Sequence, residues 1–140
     1  MDQNPLESPV AGMNDILKCE LCGKVIMILE EGGRRTICCD QLMVRLPEQF
    51  DKSNKGSHSV HIEELPEGIR VRAGDVNTSR KERHAFEWIE ATDGKNVLIK
   101  RLSPGEQPVA EFQITGPLIK ALAYCPDHGI WSSNPQAPQP

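Results

Sequence analysis

Four cysteines crowded into one short segment constrain this chain more than any other feature. Cys19 and Cys22 are separated by two residues, and Cys38 and Cys39 are adjacent. The first pair has the knuckle spacing that lets two sulfurs face one ion while the backbone amides after the turn point at them, and Gly23 relieves the strain of that turn. Between the pairs run a strand-like stretch, Val25-Ile26-Met27-Ile28-Leu29, a Gly32-Gly33 turn and then Thr36-Ile37, a hairpin that returns the second pair to the first. A unit of about thirty residues is too small to be held by a hydrophobic core alone, so metal binding is expected to supply most of its folding free energy. Four thiolates accept iron or zinc, and the ligand set does not choose between a redox centre and a structural staple.

The fifth cysteine, Cys125, leaves an odd and clustered set of thiols, which in a reducing compartment marks metal ligands more often than disulfides. With 140 residues, 38% apolar and 4% aromatic, the chain has room for one ordinary domain or two small ones with a modest core. A net charge of −4 argues against general nucleic-acid binding. No apolar run reaches the roughly 20 residues of a membrane span, and the opening Met1-Asp2-Gln3-Asn4-Pro5 lacks the pattern of a signal peptide, so a soluble, cytoplasmic protein is expected.

Polar, proline-bearing residues 1–14 read as a mobile tail, residues 15–46 as the four-cysteine unit, and residues 47–57 as a linker. Beyond the linker, short alternating segments at 59–63, 69–73, 85–90, 97–102, 109–114 and 118–124 are punctuated by Pro66-Glu67-Gly68, Asp93-Gly94, Pro104-Gly105 and Gly116-Pro117. The expectation is an all-β chain, its second domain an immunoglobulin-like antiparallel β-sandwich over 58–131, with residues 132–140 as a proline-rich tail.

Near the end of that domain, Tyr124-Cys125-Pro126-Asp127-His128-Gly129 offers a thiolate and an imidazole on one tight loop, because Pro126 fixes a backbone angle and Gly129 permits a sharp exit. Two soft donors on one loop suit a transition metal, although a buried thiol beside a surface histidine has the same pattern. His58 and His84 stand at the edges of upstream strands, where a sheet fold brings them to the same end. His61 lies at an odd offset from His58, which in an unbroken strand puts it on the opposite face. The basic run Arg80-Lys81-Glu82-Arg83 reads either as an ordinary solvated loop or, with Lys55, as a cationic rim that steers a small anion. Phe86, Trp88 and Trp131 belong chiefly to the core, with Trp131 placed to wall a metal pocket.

These residues carry a resemblance. Cys19-Glu20-Leu21-Cys22-Gly23 with Cys38-Cys39 is similar to the desulforedoxin-type iron domain, and His84-Ala85-Phe86-Glu87-Trp88-Ile89-Glu90 with Cys125-Pro126-Asp127-His128-Gly129 resembles the catalytic domain of desulfoferrodoxin, the two-iron superoxide reductase. The similarity runs from about Leu17 to Trp131 in the family's domain order. It implies two irons per chain, one held by Cys19, Cys22, Cys38 and Cys39. The other would be held by equatorial imidazoles matching His58, His84 and His128 and by an axial sulfur matching Cys125. It also implies a homodimer, and a one-electron reduction of superoxide to hydrogen peroxide with the electron resupplied by a rubredoxin-like donor.

Two departures stand out. The family's second equatorial histidine, in a His-Pro pair, falls at Thr78-Ser79, and its Glu-Lys pair before the first histidine falls at Gly56-Ser57. The resemblance therefore leaves three functions open. They are superoxide reduction with an incomplete ligand set, a module in which only the four-thiolate centre is redox-active, and an iron enzyme acting on another small or oxygen-derived substrate. Three imidazoles and one thiolate also suit zinc.

Overall fold

The computed structural model describes residues 14–51, 58–74 and 86–133, and Lys55, Gly56-Ser57, Thr78, Arg80, Lys81, Arg83 and His84 lie outside them. The described residues are all-β, and none of their segments is a helix long and apolar enough to cross a membrane. The chain divides into two compact units, Met1–Pro47 and Glu48–Pro140.

The first unit contains β1 (Ile16–Lys18), β2 (Val25–Met27), β3 (Ile37–Cys38), β4 (Gln41–Leu42) and β5 (Val44–Arg45). β1 is central in an antiparallel sheet, with Leu17 opposite Ile26 on one side and Arg45 on the other. β3 and β4 form a separate hairpin whose register, Cys38 opposite Gln41, leaves Cys39 and Asp40 as its two-residue loop. Both loop residues have positive φ, 55° and 60°. That is the signature of the hairpin turn that usually selects Asn-Gly, and a non-glycine residue gives up about 1–2 kcal/mol to adopt it.

The second unit contains β6 (Glu48–Gln49), β7 (Val60–Leu65), β8 (Gly68–Ala73), β9 (Trp88–Thr92), β10 (Val97–Arg101), β11 (Val109–Phe112), β12 (Lys120–Cys125) and β13 (Gly129–Ser132). Five strands in the order β10-β9-β12-β13-β6 make one sheet and β11-β8-β7 the other. One core joins both sheets, drawing Val60, Ile69, Val71, Ala73 and Phe112 from the smaller and Ile89, Ala91, Ala121, Ala123 and Cys125 from the larger. The period-2 alternation explains the set. On β8, Ile69, Val71 and Ala73 turn inward while Arg70 turns outward and bridges Glu63 and Glu111 on its neighbours. On β12 the inward series Ala121, Ala123 ends at Cys125, so a strand that packs with small side chains delivers a thiol to one end of the core.

Three features differ from the sequence reading. The hairpin expected across Gly32-Gly33 does not form, because β2 pairs with β1 and β3 with β4. Glu48 and Gln49, read as part of a linker, form β6, which pairs in parallel with β13 at Glu48–Ile130 and Gln49–Trp131. Ser132, read as the start of a tail, ends β13 and is buried. Strands of two and four residues are too short to show alternation, and a parallel edge pairing between distant segments leaves no turn signal between them.

The face of the larger sheet turned away from the core carries Glu90, which is only 2% exposed and whose Oε1 has no hydrogen-bond partner among the described residues. Burial pushes its carboxyl up to about 7, against attraction from Lys120 and with added repulsion from Glu48. The folded state therefore holds this proton more tightly than the unfolded chain, whose carboxyl titrates near 4.5. Stability is full below that value and is lost as pH rises through about 7. Glu90→Gln is expected to flatten this dependence, gaining about 2–3 kcal/mol at pH 8 and almost nothing at pH 4. Denaturant unfolding of both proteins at the two pH values reads the difference.

Candidate metal centres

The first centre is built by two turns. Gly23, at φ +84°, closes the knuckle after Cys22 with its N–H donating to the Cys19 carbonyl at 2.8 Å. The β3–β4 hairpin supplies Cys38 from the strand end and Cys39 from the loop. All four cysteines are free, and their sulfurs lie within 4.8 Å of one another. Cys22 and Cys38 Sγ are 3.7 Å apart and Cys38 and Cys39 Sγ 3.9 Å. Two thiolates bound to one tetrahedral ion at about 2.3 Å each stand about 3.8 Å apart, whereas a disulfide requires about 2.05 Å. The donor set fits a metal and not a bridge.

The thiols are electrostatically unequal. The Cys22 backbone N–H, 3.5 Å from Cys19 Sγ, leads the contributions that hold Cys19 down to about 6, against the opposing effect of burial. Hydrogen bonding to Cys19 and then to Cys22 pushes Cys38 up to about 12, and interaction with Cys22 raises Cys39. Cys19 therefore ionises readily while Cys38 and Cys39 hold their protons, so drawing anionic sulfur from them as well needs a cation in the cluster.

The second centre lies at the end of the sandwich where β12 turns into β13. Cys125 pairs with Gly129, leaving Pro126-Asp127-His128 as a three-residue loop closed by the His128 N–H donating to the Cys125 carbonyl at 3.1 Å. Proline at the second position of the turn and a left-handed glycine, φ +94°, after it are what this hairpin type demands. The loop folds His128 back so that its Nδ1 is 3.6 Å from Cys125 Sγ. His58, two residues before β7, completes a cluster whose donor atoms lie within 4.8 Å of one another. A sulfur and a nitrogen sharing one ion at about 2.3 and 2.1 Å stand roughly 3.6 Å apart in tetrahedral geometry, so this set also fits a metal.

The His58 ring is fixed by aromatic packing. It stacks on Trp131 at 4.5 Å and 18°, meets His128 edge-on at 4.7 Å, and faces the edge of Phe86 at 6.1 Å. Cys125 is fully buried while His128 is exposed, so the cluster has one dry side and one open side. His61 is exposed on β7 opposite Arg72 and takes no part.

Of the predicted donors, the structure therefore brings together Cys19, Cys22, Cys38 and Cys39 at one site and His58, Cys125 and His128 at the other. Sequence reasoning placed Trp131 as a wall but missed Gln49, whose Nε2 donates to the His128 carbonyl at 2.7 Å and the Ile130 carbonyl at 3.3 Å. No sequence signal pointed to Gln49, because its partners lie far along the chain.

Comparison with known proteins places these centres in context. Residues 11–46 match the family model "Desulfoferrodoxin, N-terminal domain" and residues 50–134 the model "Desulfoferrodoxin". A desulfoferrodoxin from Syntrophotalea carbinolica is 39% identical over 120 residues, covering 85% of this chain and 94% of that protein. A desulfoferrodoxin homolog from Archaeoglobus fulgidus is 34% identical over 118 residues, 84% of this chain and 94% of that protein. Among solved structures, the superoxide reductase from Treponema pallidum aligns with a TM-score of 0.68 at 18% identity, over 86% of this chain and 97% of that one, a likeness of fold.

Proposed function

The chain belongs to the desulfoferrodoxin family, and we propose that it is a non-haem iron oxidoreductase that reduces superoxide to hydrogen peroxide by one electron, with fewer imidazoles than its relatives. The convergence of His58, Cys125 and His128 at the open end of the sandwich carries this reading. Cys19, Cys22, Cys38 and Cys39 would hold one iron, and His58, Cys125, His128 and, by its match to the family motif, His84 the other. Iron at the second site would supply the single electron that superoxide takes up, with two protons from solvent completing hydrogen peroxide.

The chain's own groups have separable tasks there. Cys125 presents its sulfur from the dry core side, where no water competes for it. Trp131 and Phe86 keep the His58 ring from rotating away. The exposed side, at His128, is where a small anion would enter, and Lys55, close to His58 in sequence, with Arg80, Lys81 and Arg83, close to His84, are the cations that would raise its local concentration. The same reading carries a homodimer, a rubredoxin-like electron donor and a cytoplasmic location.

One sequence observation favours a second reading. Thr78-Ser79 and Gly56-Ser57 stand where the family has a ligand histidine and a Glu-Lys pair, two changes bearing on one pocket. A lost imidazole frees a position for a second small molecule, as in sites with three protein ligands and open positions, which fits an iron-dependent reaction on another substrate.

Anaerobic protein with its metals counted, then mixed in reduced form with superoxide, tests the first reading. Two irons per chain and rapid one-electron oxidation of the second site support it. Zinc at that site, or iron that superoxide does not oxidise, overturns it. Thr78→His then separates the two readings, since it leaves superoxide reduction intact and abolishes an activity that needs the freed position.

A further inference from the structure

We propose that Gln49 is a positioning residue for the second metal centre, clipping the loop that carries Cys125 and His128 so that the two donors meet; this rests on the reading of His58, Cys125 and His128 as a metal site. Both groups facing its amide are carbonyl oxygens, which only accept, so the nitrogen must face them and spend both hydrogens on them. Those carbonyls belong to His128 and Ile130, the residues on either side of Gly129. A Cβ at position 129 would lie 2.8 Å from Gln49 Nε2, so the glycine serves the left-handed turn and also leaves room for the amide.

The clip is itself anchored. β6 pairs with β13 through Gln49–Trp131, so the residue that stacks on His58 and the residue that holds His128 are cross-strand partners. Glu48, the other residue of β6, grips Lys120 at the start of β12 at 2.7 and 2.9 Å. A two-residue edge strand thus touches the loop of the metal site and both strands that the loop joins. Without the amide, the 126–128 loop keeps its turn hydrogen bond but loses the hold on the far side of His128, and Nδ1 is no longer fixed relative to Cys125 Sγ.

The test uses the full chain, prepared metal-free and titrated anaerobically with cobalt(II) against a competing chelator. Imidazole proton resonances shifted by cobalt report the second site alone, since the all-sulfur site has none to give. Gln49→Ala is expected to weaken cobalt binding at the second site by about 10–100-fold and to move or broaden those resonances, leaving four-thiolate affinity unchanged.

Gln49→Glu adds a signature that a merely structural role would not show. Ionised, its carboxylate repels both carbonyls, so near pH 8 it should bind cobalt more weakly than the alanine variant. Protonated near pH 5, it donates one hydrogen bond and should bind more tightly than alanine at that same pH; its shortfall against wild type should also shrink between pH 8 and pH 5, a comparison that keeps the test alive if alanine fails to fold. Wild-type affinity and resonance positions in Gln49→Ala, with only a lower melting temperature of the metal-free protein, overturn the inference. A wild-type chain that gives no shifted imidazole resonances overturns the metal-centre reading itself.

Discussion

Replacing Cys125 by alanine is expected to empty the second metal site while leaving the sandwich folded and the four-thiolate site loaded. Cys125 has no exposure to solvent and sits at the inward end of β12, in line with Ala121 and Ala123. Alanine therefore continues a pattern the strand already has, and the loss of one sulfur from the core should lower stability by only about 1 kcal/mol. The metal site has no such tolerance. With His61 exposed and outside the cluster, His58 and His128 are left as the described donors, and His128 reaches its place only because the hairpin folds it back over the Cys125 sulfur. Direct loss of the thiolate should exceed the 10–100-fold typical of outer-shell changes, so affinity should fall by more than about 100-fold. Elemental analysis should show one metal lost per chain, and reduced protein should no longer be oxidised by superoxide. Retention of both metals would mean that Cys125 is a packing residue.

A second large effect is expected when the first site is stripped. Cys38→Ser should unfold the first unit and leave the second intact. In that unit the described buried apolar side chains are Ile16, Leu17 and the candidate ligand Cys19, while Leu21, Leu29 and Ile37 are exposed. Two buried aliphatic side chains are worth about 3–6 kcal/mol, against the 10–16 kcal/mol apparent for a structural four-ligand metal site. Cys38 is the central sulfur of the set, close to both Cys22 and Cys39. Its loss also removes what offsets the two left-handed residues, Cys39 and Asp40, in the hairpin loop. Hydrogen exchange should show the amides of Ile16–Lys18 and Val25–Met27 unprotected in the variant, with those of Gly68–Ala73 and Lys120–Cys125 unchanged. Protection throughout the first unit would mean that its packing alone suffices.

The parts of the chain that were legible beforehand are those in which one local rule acts alone. The cysteine spacing implied a shared ion, since few other arrangements accommodate four thiols in so small a unit. Alternation marked the long strands: Ile69, Val71 and Ala73 face the core because a strand has two faces and the intervening residues are charged. Pro126 and Gly129 marked the tight loop that carries His128, and His61 is exposed outside the donor cluster, although His58 itself precedes β7, the strand on which the offset depends.

What escaped is non-local. β6 is two residues long, and nothing near Glu48 or Gln49 says that they will pair with Ile130 and Trp131. Glu90 alternates as an ordinary outward-facing acid, yet it is buried, because both faces of the larger sheet exclude solvent there. The amino-acid sequence by itself determined the candidate donor types, the tight loop at Pro126 and the all-β class, since each depends on spacing along a few residues. Tertiary structure alone decided that His58 lies flat against Trp131, that Gln49 holds the His128 carbonyl, and that Cys125 ends in the core. Those contacts follow from which strand lies beside which, and strand order is set by the total burial of two sheets that no single segment encodes.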